Sequence, residues 1–106
     1  MIYCFDLDGT LCDTEGSEYE SAFPKKERID VVNKLYDQGH TIYIETARGV
    51  GSGIDWHDFT ADQLESWGVK YHTLRTGTKF HADVFVDDKG ISDVGFFSVR
   101  VYKGNE

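Results

Sequence analysis

Three short stretches of the chain carry side chains that could do chemistry: Asp6-Leu7-Asp8-Gly9-Thr10, Thr46-Ala47-Arg48 and Val86-Asp87-Asp88. Each begins at the end of an apolar or β-branched run, the pattern of a strand that has just crossed a core. If the strands are parallel, all three deliver their polar groups to one rim of the sheet. Asp6, Asp8, Asp87 and Asp88 gathered there would repel one another. A hard, oxygen-preferring cation such as Mg²⁺ relieves that repulsion. Thr46 adds a hydroxyl to the same rim, and Arg48 a guanidinium able to clamp an anion through two hydrogen bonds. Taken alone, Asp8-Gly9-Thr10 is an ordinary turn. Asp6 two residues earlier, and a second acidic pair at another strand end, make it more than that.

The elements that must position these groups follow from pattern. Met1 to Leu7 reads as a buried strand. Residues 12–24 are polar and aromatic without a period. Lys25 to Gln38 reads as a helix, with Ile29, Val32, Leu35 and Tyr36 on one face and Gly39 as its stop. Thr41 to Thr46 is β-branched and aromatic, a second strand. Gly49, Gly51 and Gly53 make the following stretch a loop. It lacks the glycine spacing and lysine of a phosphate-binding P-loop. Asp58 to Trp67 is a second helix, with Phe59, Leu64 and Trp67 inward and Gly68 at its end. Val69–Leu74 and Ala82–Val86 are further strands, and residues 95–102 an edge strand. The order βαβαββ predicts an α/β fold, a Rossmann-like three-layer sandwich with a mostly parallel sheet. In such sheets ligands bind beyond the carboxyl ends of the strands, where strand order reverses.

Composition bounds the rest. The 106 residues make one domain, 1–106, with a single core. A net charge of −8 argues against a nucleic-acid partner, because a phosphate backbone needs clustered Lys and Arg. No apolar run approaches a membrane-spanning length, and no secretory signal opens the chain. Cys4 and Cys12 do not make a disulfide framework, which predicts a cytoplasmic, reduced protein. Cys4 reads as a small buried hydrophobe, and Cys12 as a thiol with no partner base nearby.

Asp6-Leu7-Asp8-Gly9-Thr10-Leu11 resembles the DxDGT first motif of the haloacid dehalogenase superfamily. Thr46 after IYIE resembles the second motif, Lys79 the third, and Val86-Asp87-Asp88 the fourth. All four stand in family order over residues 1 to 90. The resemblance implies a Mg²⁺-dependent phosphomonoester hydrolase. Asp6 would be the nucleophile of an aspartyl-phosphate intermediate. Asp8 would be the acid and then the base, which asks for an upward-tuned carboxyl. Thr46 and Lys79 would hold the phosphoryl oxygens. The metal would be held by Asp6, the Asp8 backbone carbonyl, and Asp87 or Asp88. Lys79 read without the resemblance is a solvated surface lysine, and Arg48 a surface or interface arginine.

Family members often carry a cap domain, but residues 12–24 and 49–57 are too short to hold one. The resemblance is therefore to a capless member. Its open site would be shielded by a neighbouring subunit of a homo-oligomer or by a large substrate, with a flap at 12–24 bearing Tyr19 and Phe23 as partial cover. TAR after the second strand and VDDK after the fourth also resemble small phosphatases of capsule and surface-polysaccharide biosynthesis. The expected substrate is a small phosphorylated metabolite, such as a sugar phosphate or a nucleotide. Two alternatives are a receiver-like phospho-accepting signalling module and a non-catalytic binding protein of the same fold. A receiver should carry its acceptor Asp after the third strand, where this chain has Leu74-Arg75-Thr76.

Overall fold

A computed structural model of the chain describes residues 1–76, 84–87, 91–92 and 96–97. Strand β1 (Ile2–Asp6) enters a small antiparallel pair, β2 (Cys12–Asp13) with β3 (Phe23–Pro24), which frames a 3₁₀ turn at Tyr19–Ser21. Helix α1 (Lys26–Asp37), β4 (Thr41–Thr46), α2 (His57–Ser66) and β5 (Thr73–Thr76) follow. Strands β6 (Val84–Asp87) and β7 (Ile91–Ser92) are the last described strands. The main sheet runs β5-β4-β1-β6-β7, and every pairing in it is parallel. The α/β class and the parallel sheet are as the sequence predicts, in an order consistent with a Rossmann-like arrangement.

The chain builds outward from β1 through β4 to β5, then returns to place β6 on the other side of β1. That reversal lies between β1 and β6, where open parallel sheets leave a crevice at their carboxyl ends. Both helices end in the same device. Gly39 and Gly68 take φ of +93° and +72°, and the amides of Gly39 and His40 return to Tyr36 and Leu35, as those of Gly68 and Val69 return to Glu65 and Leu64. This paired bonding satisfies carbonyls that a helix end leaves unpartnered, and it needs a left-handed residue.

The main apolar cluster lies on one face of the sheet, with Cys4 buried on the other. Tyr3, Phe5, Ile42, Ile44, Leu74 and Val86 meet Ile29, Val32 and Leu35 of α1 and Leu64 of α2 in one cluster. The other face carries Tyr43 and Glu45, half-buried, and Thr73 and Arg75, exposed. The described residues thus form two layers, and the third layer of the expected sandwich has no described element. Two consecutive right-handed crossovers in one direction put α1 and α2 on the same side, which explains the asymmetry.

Two expected strands are displaced. The third begins at Thr73 rather than Val69, because the His72 ring takes up the Ile42 amide where a strand carbonyl would sit (Nδ1, 3.0 Å). Asn33 also pins the chain at Gly68 and Lys70 (2.8 Å each) before it joins the sheet. The edge strand over 95–102 is not found where it is described: Phe96 and Phe97 are helical and both buried. Adjacent inward residues fit a helix, whereas a strand would alternate. Both rings pack on Phe5. No described helix is long and apolar enough to cross a membrane.

Candidate functional site

At the end of β1 the chain leaves the sheet abruptly. The Leu7 amide still bonds to the Glu45 carbonyl, but its own carbonyl accepts from the amides of Thr10, Leu11 and Cys12. This wrap takes residue 8 out of the strand, so the rule that positions two apart in a straight strand share a face does not apply to Asp6 and Asp8. Asp6 stays half-buried at the end of β1. Since Phe5 pairs with Val86, the next step of the register brings Asp87 beside Asp6 at the chain reversal. Asp88 and Lys79 lie outside the described residues.

Asp8 is directed toward the end of β4. The Arg48 side chain grips it from two sides, Nη2 to Oδ1 at 2.8 Å and Nε to Oδ2 at 3.0 Å. Thr14 donates to Oδ1 at 2.6 Å and Thr46 to Oδ2 at 3.3 Å. Thr46 in turn accepts from the Arg48 amide. The Asp8 carboxyl therefore meets two hydroxyls and a guanidinium. Burial alone would raise its pKa, but the hydrogen bonds from Arg48 and Thr14, with the Arg48 charge, outweigh burial and hold it below the ordinary carboxylate value. The upward tuning expected for an acid is absent from this arrangement.

Arg48 also differs from expectation. Its side chain is fully buried and does not reach out as a clamp for a substrate anion. Nη1 donates to Thr60 Oγ1 (3.2 Å) and Gln63 Oε1 (2.7 Å), and the guanidinium lies 4.6 Å over the Tyr19 ring. A planar donor with several N–H groups suits such a buried junction. Gln63 completes it by donating to the Tyr19 carbonyl at 2.8 Å, so the segment after β2 is fastened to α2. The Tyr19 ring meets Trp56 edge-on, and Trp56 meets Phe59. Trp56 thus braces the flap, while His57 is exposed at the start of α2.

Thr14, Thr60 and Gln63 are the participants that sequence reasoning missed, and Cys12, read there as lacking a nearby base, lies against the Asp8 carboxylate. Nothing in the local pattern of the three marks them: Thr14 meets Asp8 through the turn after β1, and Thr60 and Gln63 meet Arg48 from α2. Cys12 is buried against Asp8, and burial together with the nearby carboxylate pushes its thiol up to about 11, against lowering by Thr14 and Arg48. A thiol with its pKa so raised is held protonated at neutral pH, and the thiolate is the reactive form.

Beside Asp8 opens a cleft of about 590 Å³. Gly9, Thr14, Ser21 and Phe23 line it together with the carboxylates of Asp13, Glu15 and Glu18. Among the described residues no group of three His, Cys, Asp or Glu is arranged as a metal cage. Asp6 and Asp87 are the last residues of two adjacent strands, and carboxylate is a donor type suited to Mg²⁺.

No family model matches the chain, and no curated protein matches it by sequence. Solved structures do. A structural-genomics target from Vibrio cholerae is 24% identical, with a TM-score of 0.75 over 97% of this chain and 93% of that one. A chain of the Pnkp1/Rnl/Hen1 complex is 19% identical, with a TM-score of 0.57 over 76% of this chain and 30% of that one. Both are likenesses of fold.

Proposed function

We propose that the chain is a Mg²⁺-dependent phosphomonoester hydrolase of the haloacid dehalogenase type, capless, acting on a small phosphorylated metabolite. The observation that carries this reading is the different setting of the two motif residues. Asp6 closes β1, next to the strand that Asp87 closes, and Asp8, beyond the strand, is bonded to Thr46, Thr14 and Arg48. One carboxylate can then attack phosphorus while the other manages the proton of the leaving oxygen.

In the first step an Asp6 oxygen bonds to phosphorus as the ester oxygen leaves with a proton from Asp8. In the second, the Asp8 carboxylate takes a proton from water, whose oxygen displaces Asp6 and releases phosphate. Asp8 held by Arg48 is ionised, the form required for the second step. Loosening of that grip on substrate binding supplies the protonated form for the first. Mg²⁺ bound by Asp6, the Asp8 backbone carbonyl and Asp87 or Asp88 would neutralise the phosphoryl charge. Thr46 and Lys79 are the proposed phosphoryl ligands, with Thr46 bonded to Asp8 in the resting site. A site without a cap is proposed to be covered by the flap and by a second copy of the chain. The absence of an Asp after β5, which ends at Thr76, weighs against a receiver-like module.

The test is phosphate release from a panel of phosphorylated metabolites, with Mg²⁺ and with chelator, alongside Asp6→Asn. Release that requires Mg²⁺ and is lost in Asp6→Asn supports the reading. Turnover insensitive to both refutes it, and no turnover with any substrate favours a non-catalytic binding protein.

A further inference from the structure

The cleft beside Asp8 bears on what the leaving group can be. It begins at Gly9 and Thr14, and the Thr14 hydroxyl bonds the carboxyl that would meet the leaving oxygen. The part of a substrate beyond that oxygen must extend from Asp8, and the cleft is a concave space that adjoins it through Gly9 and Thr14. Its volume lies within the range of small-molecule sites.

Two features of the lining set the chemistry. The Phe23 ring stands 73% exposed at the rim, a large apolar face left open to solvent. Around it are only hydroxyls and carboxylates: Thr14 and Ser21, then Asp13, Glu15 and Glu18. The Lys25 ammonium sits 3.6 Å from Asp13 and is not part of the lining. Carboxylates accept strong hydrogen bonds from hydroxyl donors. They repel a second phosphate or a carboxylate brought against them. An exposed ring offers a face for the C–H side of a carbon skeleton.

Resting on the phosphatase reading above, we infer that this cleft receives the leaving group, and that this group is hydroxyl-bearing and carries no further negative charge. Nucleotides and other substrates with a further anionic group are selected against by Glu15, Glu18 and Asp13.

The experiment measures kcat/KM for pairs of phosphomonoesters that differ by one carboxylate: glucose 6-phosphate against 6-phosphogluconate, and glycerol 1-phosphate against 3-phosphoglycerate. Phosphoethanolamine and p-nitrophenyl phosphate are run beside them on the full chain with Mg²⁺. The uncharged member of each pair should be preferred by about 10-fold or more. In Glu15→Gln/Glu18→Gln that preference should shrink severalfold, chiefly through faster turnover of the carboxylated member. Equal rates within each pair, or a ratio unmoved by the double variant, overturn the inference while leaving the phosphatase reading standing. Phosphoethanolamine as the best substrate overturns it in favour of a cationic leaving group. Failure to hydrolyse anything, p-nitrophenyl phosphate included, overturns the phosphatase reading and this inference with it.

Discussion

Replacing Arg48 with Met removes the guanidinium that joins Asp8, Thr60, Gln63 and the Tyr19 ring, at roughly constant volume. The partners left behind are costly. Thr60 is fully buried, and the Asp8 side chain, only 27% exposed, keeps two threonine hydroxyls and the weakly donating Cys12 thiol. Removing one partner of a buried ion pair costs about 3–5 kcal/mol, and the partial exposure of Asp8 places this case near 3. For a chain of this length the unfolding entropy is about 0.22 kcal/mol/K, so the melting temperature should fall by about 13 °C. The assay is thermal and urea unfolding in chelator, followed by circular dichroism, on wild type, Arg48→Met, Asp8→Asn and the double variant. The Asp8–Arg48 pair should account for about 2 kcal/mol of coupling, leaving the double variant more stable than the sum of the singles. A drop under about 3 °C for Arg48→Met, with coupling below about 0.5 kcal/mol, would refute the claim that Arg48 is a structural junction.

The depressed pKa of Asp8 has a signed consequence for acid stability. Its contribution is fully present above the ordinary carboxylate value of 3.8 and is lost as pH falls through the lower folded value. Unfolding free energies of wild type and Asp8→Asn, measured from about pH 5 down to pH 2, should therefore converge toward the acid end. Both cysteines are buried, at 2% and 0% exposure, and Cys12 also has a raised pKa. An aromatic disulfide reagent at pH 8 should consequently label neither thiol in the native protein and two in denaturant. Gly68→Ala meets no atom near its new methyl group but must keep φ at +72°, so it should cost about 1 kcal/mol in urea unfolding through backbone conformation alone.

The sequence exposed the sheet and the strand ends because those depend on short-range pattern. The alternation in Thr41–Thr46 and the stripe of Ile29, Val32 and Leu35 read directly into β4 and α1, and Gly39 and Gly68 stand where both helices stop. What misled was local resemblance between different states. GFFSVRVY looks like a strand until Phe96 and Phe97 prove to be neighbours on a helix. Arg48 followed a strand and preceded glycines, so it read as a solvent-facing loop residue. Its burial is set by Asp8, forty positions earlier, and by Thr60 and Gln63 on α2. Positions could be read from spacing, but the direction a side chain takes after leaving the sheet could not. The downward shift at Asp8 has the same origin, since it arises from a partner that pattern could not assign.

The two anchors of the flap also bear on how such a fold can acquire new parts. Thr14 is tied to Asp8, and Tyr19 is tied to Gln63 and Arg48. The chain between them, Glu15 to Glu18, bends through Gly16 at the surface. A segment spliced into that bend would start and finish at fixed points on the rim of the cleft. Because each doubling of loop length adds only about 0.6 kcal/mol of closure entropy, even a long insertion there would leave the core almost untouched. The same fasteners that steady a small open protein thus make its rim a ready graft point, where a lid with its own selectivity could be added without redesigning the sheet beneath.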